Sequence, residues 1–369
     1  MATTFTKNAY RADHIGSFLR PAELLQLRAA KPNSPELRAV EDREILRILA
    51  KQKELGFDIF TDGEFRREGF MSDLVDAVDG FSTSDADTRT WKSAQGASTQ
   101  PLRDVVTKKI TQKRRLTEYE VTFLIKNSPG PVKMTLPSSN QFPAIAYRKG
   151  LSEKVYPTYA PFLADVAGII AGEMAALAAE GVAYIQVDAP RYSYYLDEKW
   201  RTFLRTEYSP DLDALLDEAI ASDNLGFRKA RKPGVILAIH LCRGNNKSNW
   251  YASGGYDNIA EKVFNQLEVD RFLLEYDDER SGSFEPLRFV PKDKLVVLGL
   301  VSTKVGKLES ADTLAKLIDK ATKYIPLDRL ALSPQCGFAS MSEGNIIAED
   351  EQWAKMKLVA DVAKKVWGA

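Results

Sequence analysis

The residues best suited to chemistry in this chain are a histidine and two cysteines. The sequence has two histidines and two cysteines in 369 residues, and three of these four are His240, Cys242 and Cys336. Side chains i and i+2 of a β-strand point to the same side. His240-Leu241-Cys242, at the end of the apolar run 235–239, therefore offers one nitrogen and one sulfur to a common point. Because imidazole and thiolate are ligands that zinc prefers, the spacing indicates a metal site.

Two further residues, both more distant in the chain, extend this candidate site. Glu275 lies at the end of one later predicted strand and Cys336 follows another, so the ends of parallel strands would bring them to the same rim as His240 and Cys242. One nitrogen, two sulfurs and one carboxylate oxygen fit tetrahedral zinc, with Glu275 as the weak ligand that a substrate displaces. The alternatives are structural. Buried cysteines often act as small hydrophobic residues, and Glu275 has candidates for an ion pair in Arg271, Arg280 and Lys304.

The elements that must position these residues alternate between short β-type runs and longer amphipathic stretches. This alternation is typical of a parallel sheet with crossover helices. We predict eight strands, and eight such units predict one α/β domain over residues 1–369, a single (β/α)8 TIM barrel, which is a normal size for that fold. The predicted strands lie near residues 12–18, 57–62, 131–136, 183–188, 235–242, 271–276, 295–300 and 329–333.

Helical patterns separate most of the predicted strands, but one long stretch breaks the rhythm. Residues 80–129 are rich in Ser, Thr and Asp and carry the charged run 108–115. We expect this stretch to be an insertion between strands two and three, a hairpin or arm that packs over the barrel mouth or against a partner subunit in a homodimer. The predicted helices cover residues 34–55, 159–180, 211–222, 256–268, 311–324 and 349–366.

Polar residues collect at the predicted strand ends, where enzymes with this fold carry their catalytic groups. His14 and Ser17 end strand one, Glu64 follows strand two, and Asp188 and Tyr192 follow strand four. Structural roles compete with functional ones at each position. Glu64 and Asp188 have neighbouring arginines for ion pairs, and for His14 a plain hydrogen bond is as good an interpretation as catalysis.

Charge and composition limit the kinds of binding partner that we expect. The 51 Lys and Arg residues balance the 51 Asp and Glu residues, and no basic stripe favours nucleic acid or an anionic membrane. No segment approaches the roughly 18 uninterrupted apolar residues of a membrane span, and the N-terminus lacks the apolar run of a signal peptide. We therefore expect a cytoplasmic protein with a small-molecule substrate. In a reducing compartment its two cysteines would not form a structural disulfide.

At the candidate metal ligands the sequence resembles a known family. His240-Leu241-Cys242, Glu275 and Pro334-Gln335-Cys336-Gly337 are similar to the zinc ligands of the catalytic domain of cobalamin-independent methionine synthase. This family lies within the wider group of barrels related to uroporphyrinogen decarboxylase. The resemblance covers nearly the whole chain as a short, single-barrel form, and it implies zinc as cofactor.

The same resemblance implies how an amino acid substrate would bind. Ile15-Gly16-Ser17-Phe18 resembles the loop whose backbone holds the homocysteine carboxylate, which implies that role for Ile15 and Ser17. Glu64, in Gly63-Glu64, and Asp188, in Ile185-Gln186-Val187-Asp188, match the two acids that hold the homocysteine ammonium.

Two departures from the family concern the methyl donor. Residues 301–306 contain no histidine where the family has its general acid, and residues 134–140 contain no tryptophan where the family stacks folate. The half of the site that activates the thiol therefore matches the family, whereas the folate half does not. In these respects the chain is similar to the short, core-type methionine synthases and to epoxyalkane:coenzyme M transferase.

These features predict zinc-dependent alkyl transfer to a thiol, with a zinc-bound thiolate as nucleophile and homocysteine methylation to methionine as the leading hypothesis. Lys304, His14 or Tyr192 would supply a proton or charge to the leaving group. One alternative keeps the zinc thiolate and changes the electrophile to an epoxide or another alkyl donor. A second is a metal-free barrel of the decarboxylase type. The two acids favour an amino-acid thiol over coenzyme M, whose sulfonate would prefer arginines.

Overall fold

The core of the fold is a six-stranded parallel sheet. A computed structural model describes residues 10–93 and 96–368. In chain order the strands are β1, Val78–Ser93; β2, Gly96–Gln112; β3, Lys133–Pro137; β4, Tyr184–Asp188; β5, Ile236–Leu241; β6, Arg271–Glu275; β7, Leu295–Val301; and β8, Leu330–Pro334. Strands β3 to β8 lie side by side in sequence order and pair in parallel, and every residue in them is buried. Burial on both faces explains why these segments read as continuous apolar runs.

Two segments flank this sheet at its edges. Ala12 forms a parallel bridge to Leu332 of β8, and Phe60 forms one to Val132 beside β3. The two segments also contact each other, since Thr61 Oγ1 donates to the Gly16 carbonyl at 2.7 Å. The α/β class and six of the predicted strands are thus confirmed. Closure into an eight-stranded barrel, with residues 12–18 and 57–62 as the first two strands, stays a prediction.

Eleven helices in the described residues accompany the strands. They are α1, Ala22–Ala30; α2, Pro35–Glu54; α3, Ser72–Ala77; α4, Val121–Asn127; α5, Gln141–Ala146; α6, Tyr159–Ala179; α7, Glu198–Glu207; α8, Leu212–Ala230; α9, Ala260–Gln266; α10, Ala311–Ala321; and α11, Glu349–Trp367. Short 3-10 helices cover Ser152–Lys154, Pro190–Tyr195, Glu279–Ser281, Glu285–Phe289 and Leu327–Arg329. Each of the six predicted helices has a counterpart here.

Side chains at the helix starts explain several of these boundaries. Ser34, Asp211 and Ser310 accept hydrogen bonds from backbone N–H groups three residues later, and so cap α2, α8 and α10. Helix α8 continues past the predicted end at Ser222 and ends at Ala230. The Ser222 hydroxyl donates to the Ala219 carbonyl of the same helix at 2.8 Å, so this polar side chain is accommodated within the helix.

Strands β1 and β2 form an antiparallel hairpin of their own, outside the parallel sheet. The hairpin begins at Val78, two residues before the predicted arm 80–129, and ends within it at Gln112. Its contacts with the rest of the fold include three sets of hydrogen bonds. Lys92 pairs with Trp250, the Ile110 N–H donates to Tyr156 Oη at 3.0 Å, and Ser152 Oγ donates to the Val106 carbonyl at 2.7 Å. The predicted roles of this arm as an insertion and as a dimer contact stay predictions.

Helix α6 is the one helix of the described chain that is long and apolar enough to cross a membrane by composition. Its most apolar window has a mean hydropathy of 1.7, and 56% of that window is buried inside the structure. Two acidic residues, Asp165 and Glu173, lie within its apolar sequence. Glu173 accepts from Arg115 at 2.7 Å and from the Leu116 N–H at 3.0 Å. These features are those of a helix packed into a protein core.

A fully buried charge network joins the first segment of the chain to the sheet. The Asp13 carboxylate accepts from Lys133 Nζ at 2.8 Å and from Tyr184 Oη at 2.9 Å, and Arg271 Nη1 lies 3.8 Å from it. Burial alone would raise the pKa of Asp13, but Lys133, His14 and Arg271 together lower it. Removing one partner of such a network leaves the other charges buried without compensation.

We expect Asp13→Asn to lower the free energy of unfolding by about 3 to 5 kcal/mol, because Lys133 loses its carboxylate. The carboxylate contributes stability above its ordinary pKa of about 4, and the contribution is lost as pH falls through the lowered folded-state pKa. Acidification below about pH 4 should therefore destabilise the parent more than the variant. Urea unfolding followed by circular dichroism measures both effects. Exposed Asp58→Asn is the control, with a change within about 0.5 kcal/mol.

Candidate metal centre

Three buried side chains from two distant strands meet at the carboxyl end of the sheet. His240 lies in β5, Cys242 directly follows β5, and Cys336 follows β8. Their ligand atoms lie within 4.8 Å of one another. His240 Nδ1 lies 3.2 Å from the Leu273 carbonyl, whereas the buried Nε2 has no hydrogen-bond partner. An unpartnered imidazole nitrogen beside two free thiols fits a metal with nitrogen and sulfur ligands.

These three groups shift one another's pKa values. A hydrogen bond from Cys242 lowers the pKa of Cys336 well below that of an ordinary thiol, against the effect of burial. The same contact with Cys336, together with burial, raises the pKa of Cys242. Burial opposes protonation of His240, but the neighbouring Cys336 outweighs it and raises the histidine pKa. The site therefore favours an anionic sulfur on Cys336, which is the form that binds metals.

Glu275 lies at the end of β6, outside the group of atoms within 4.8 Å. Its Oε2 accepts from the Arg243 N–H at 2.6 Å, while its buried Oε1 has no hydrogen bond and lies 3.4 Å from Arg280 Nη2. The charge of Glu275 also contributes to the raised pKa values of His240 and Cys242. Its predicted role as a fourth ligand thus stays a prediction, and one of its oxygens is free of hydrogen bonds.

A cavity of about 270 Å³ opens beside the three ligands. It is bounded by the ends of β4, β5 and β8, by helix α5 and by the hairpin. Seven residues predicted from the sequence line it: Ile15, Ser17, Glu64, Asp188, His240, Cys242 and Cys336. The candidate ligands and the candidate amino-acid contacts therefore share one cavity.

Glu64 presents a carboxylate that is only half satisfied. Its Oε1 accepts from Thr135 Oγ1 at 2.8 Å, and its buried Oε2 has no partner. Arg67 lies 3.9 Å away, but its guanidinium is held by Glu120 at 2.6 to 3.1 Å. Glu64 has a left-handed backbone with φ of 59°, and its N–H donates to Asp62 Oδ1 at 2.9 Å, so the turn after residue 62 sets its position.

Asp188 ends β4 and faces the same cavity. Gln186 Nε2 donates to its Oδ1 at 2.7 Å and also to the Ile15 carbonyl at 2.7 Å, which joins Asp188 to the first loop. Burial raises the pKa of Asp188 to about 7, with Glu64 adding to the effect and His240 opposing it. A cationic ligand between Asp188 and Glu64 would relieve the cost of burying both acids.

The loop that carries Cys336 packs directly on the loop that carries Ser17. The Phe338 N–H donates to the Ser17 carbonyl at 3.0 Å, and the Ala339 N–H donates to Ser17 Oγ at 3.3 Å. A Cβ atom on Gly337 would lie 2.0 Å from Ser17 Oγ. Only glycine lets the two loops approach this closely. The loop that carries Cys336 and the loop predicted to bind the carboxylate are therefore held as one unit.

The three predicted proton donors do not line the cavity. His14 is buried against Phe18 and Phe57, burial lowers its pKa to about 4, and its Nε2 lies 3.1 Å from the Ile59 carbonyl. Tyr192 Oη donates to Asp223 at 3.1 Å. Lys304 Nζ donates to the carbonyl of Gly244, a lining residue, at 3.1 Å. Catalytic roles for these residues stay predictions.

Several lining residues were not among the predicted site residues. Asn245 Nδ2 donates to the Gly337 carbonyl at 2.7 Å and to Ser340 Oγ at 3.2 Å, which ties the β5 loop to the β8 loop. Its place after a strand end was the only signal for it. Asp104 reaches the cavity from the hairpin, which no local pattern indicates. The others include Phe70, Met71, Gln141, Ile145, Tyr251 and Met341.

Comparison with known proteins identifies the family of this chain. Residues 12–365 match the family described as cobalamin-independent synthase, catalytic domain. The YxjH protein of Bacillus subtilis, whose function is uncharacterized, is 36% identical over 98% of this chain and 96% of its own length. Methionine synthase of Pyrococcus horikoshii is 24% identical over 88% of this chain and 84% of its own length. The putative vitamin-B12 independent methionine synthase of Listeria monocytogenes has 26% identity, a TM-score of 0.69, and coverage of 97% of this chain and 98% of that one.

A parallel α/β sheet that gathers an imidazole and two thiols into a small cavity defines a class of enzymes with a candidate metal site at the strand ends. The match of the family model over residues 12–365 identifies the family within this class. The chain belongs to the cobalamin-independent methionine synthase family, through its catalytic domain, and the relationship supports methyltransferase activity.

The three ligands generate a direct prediction for metal binding. We expect purified protein to retain about one zinc ion per chain, and Cys336→Ala to weaken zinc binding by more than about 100-fold, because a ligand is lost. Competition with a chromogenic chelator measures the affinity, and cobalt substitution reports thiolate ligation by its absorption spectrum. His14→Gln is the matched control, since it removes the other histidine. Unchanged zinc affinity in Cys336→Ala would rule out this centre.

Proposed function

We propose that this protein is a zinc-dependent methyltransferase that converts homocysteine to methionine. The observation that carries the proposal is the shared cavity, which is lined by one imidazole, two thiols and two incompletely neutralised acids. Membership of the methionine synthase family supports the same conclusion. The proposal also takes residues 12–18 and 57–62 as the first strands of a (β/α)8 barrel, which the edge bridges support.

Zinc is the metal best suited to the ligand set. His240, Cys242 and Cys336 would hold it, and Glu275 would be the fourth, displaceable ligand, which its hydrogen-bond-free oxygen supports. A bound zinc ion would favour the deprotonated form of a substrate thiol, which is otherwise only a few per cent thiolate at neutral pH.

The chain's own residues would orient the amino acid. Glu64 Oε2 and the Asp188 carboxylate would accept from the ammonium group, while the backbone of Ile15 and Ser17 would bind the carboxylate. The packing of Gly337 on Ser17 supports a fixed distance between this subsite and Cys336. Holding the thiol and the electrophile in one orientation would supply much of the rate enhancement of an in-line displacement.

The alternatives are less well supported. A thiol such as coenzyme M carries a sulfonate, and the lining residues in the described chain include no lysine or arginine to bind it. A metal-free decarboxylase would leave His240 Nε2 and the two adjacent thiols without a purpose. An amino-acid thiol therefore remains the best-supported acceptor.

The two acids generate a prediction for substrate choice. We expect Glu64→Gln to weaken homocysteine binding about 10- to 100-fold, because a buried carboxylate that pairs with an ammonium group is worth roughly 1.5 to 3 kcal/mol. Binding of 4-mercaptobutyrate, which lacks the amino group, should not weaken in the same variant. Isothermal titration of zinc-loaded protein measures both affinities.

Exposed Glu68→Gln is the matched control for this experiment, since Glu68 makes only a 3.9 Å contact with Arg28 and lies outside the cavity lining. If Glu64→Gln binds homocysteine as tightly as the parent does, the assignment of the ammonium subsite is incorrect.

A further inference from the structure

Arg280 lies beside two buried carboxylates just after β6, next to the candidate metal centre. Its Nη2 is 3.4 Å from Glu275 Oε1 and 3.6 Å from Asp277 Oδ1. The side chains of Glu275 and Asp277 are 0% and 2% exposed, and that of Arg280 is 14% exposed. Neither of these carboxylate oxygens has a hydrogen bond, and the two terminal nitrogens of Arg280 have none either. One cation therefore lies close to two acids without a hydrogen bond to either.

Other buried ion pairs of this structure are shorter. Lys133 Nζ lies 2.8 Å from Asp13, and Arg67 Nη2 lies 2.6 Å from Glu120. A hydrogen bond between a charged nitrogen and a carboxylate normally spans about 2.7 to 2.9 Å. Because the separations at Arg280 are 3.4 and 3.6 Å, a small shift of either carboxylate would complete a hydrogen bond to the guanidinium.

The guanidinium itself is held by other contacts. Arg280 Nε donates to Asp278 Oδ2 at 2.6 Å, and the centroid of the Trp250 ring lies 4.2 Å from the guanidinium carbon. Trp250 is fixed in turn by two backbone hydrogen bonds with Lys92 of the hairpin, of 2.6 and 2.9 Å. A charged hydrogen bond and a cation–π contact together favour one orientation of the group. Movement of a carboxylate, and not of Arg280, would therefore complete the missing bond.

Of the two acids, Glu275 is the one beside the candidate metal ligands. Its Oε2 accepts at 2.6 Å from the N–H of Arg243, the residue that follows Cys242. That bond leaves Oε1 as the oxygen that can change partners. Under the proposed function Glu275 is the ligand that a substrate thiol displaces, and a displaced, buried carboxylate without a partner would be costly. Arg280 Nη2, 3.4 Å from Oε1, is placed to offset that cost.

We propose that Arg280 is a positioning residue that receives the Glu275 carboxylate when a substrate thiol replaces it at the metal centre. This inference rests on the proposed function. Arg280 does not line the cavity, so it acts through Glu275 and not on the substrate. Its positive charge weakens ligation by Glu275 before the thiol binds, and a charge-assisted hydrogen bond to Glu275 forms afterwards. Asp277 competes for the same nitrogen and so limits this effect.

The test compares Arg280→Gln with the parent, each as the whole chain loaded with zinc, or with cobalt for spectroscopy. We expect Arg280→Gln to weaken homocysteine binding about tenfold, because the displaced carboxylate loses a charged hydrogen bond. Zinc affinity without homocysteine should stay the same or rise, since Glu275 no longer has a competing cation beside it. Titration of the cobalt absorption bands with homocysteine measures the first affinity, and chelator competition measures the second.

Two further variants keep the test independent of folding. Arg280→Lys retains the cation and should lose less homocysteine affinity than Arg280→Gln does. Asp277→Asn removes the competing acid and should bind homocysteine about threefold more tightly than the parent. Arg288→Gln is the matched control without effect on either affinity. Its ion pair is with Glu285 at 3.1 Å, and the described chain gives it none with the two acids beside Arg280.

The results separate this inference from the proposed function. If the parent binds homocysteine at the cobalt centre and Arg280→Gln binds it equally well, Arg280 has no positioning role and the proposed function stands. If Arg280→Gln loses zinc and homocysteine affinity together, its role is structural and the inference is again wrong. If the cobalt spectrum of the parent does not respond to homocysteine, the proposed function itself fails, and the role of Arg280 fails with it.

Discussion

Curvature of the parallel sheet is the constraint on which the rest of the site depends. Cys242 follows β5 and Cys336 follows β8, and β6 and β7 lie between these strands. In a flat sheet three strand spacings would separate them by roughly 14 Å. Their sulfur atoms instead lie within 4.8 Å of each other and of a His240 nitrogen. The sheet must therefore curl strongly, and the loops after β5 and β8 must turn inward, before any of these side chains can act together.

Buried charges hold the curled sheet in register. At one end, Asp13 links the first segment to β3, β4 and β6 through Lys133, Tyr184 and Arg271. At the other end, the Arg243 N–H donates to Glu275 and its Nη1 donates to the Glu275 carbonyl at 3.1 Å, which joins the β5 loop to β6. Such networks are costly to break, so they fix which strand ends lie next to each other.

Sequence patterns predicted much of this structure because its signals are local. Continuous apolar runs identified β3 to β8, and alternation of side chains explained why His240 and Cys242 point together. The contact of Asp104 with the cavity was not predictable, since it depends on how the hairpin folds over the sheet. The isolation of Tyr192 was equally hidden, because its partner Asp223 lies 31 residues away on α8. Spacing alone does not reveal whether a polar residue faces the cavity or a structural partner.

The free enzyme carries an electrostatic cost that its substrate would remove. Glu64 and Asp188 are buried, one oxygen of Glu64 lacks a partner, and burial raises the pKa of Asp188 to about 7. The arginine nearest to Glu64, Arg67, is held by Glu120 at 2.6 Å and lies 3.9 Å from the Glu64 carboxylate. An ammonium group bound between Glu64 and Asp188 would favour the charged form of Asp188 and offset part of the cost of burying both carboxyl groups. Under the proposed function, affinity for an amino acid would follow from charges that the fold leaves incompletely compensated, and discrimination against thiols without an amino group would follow from the same imbalance.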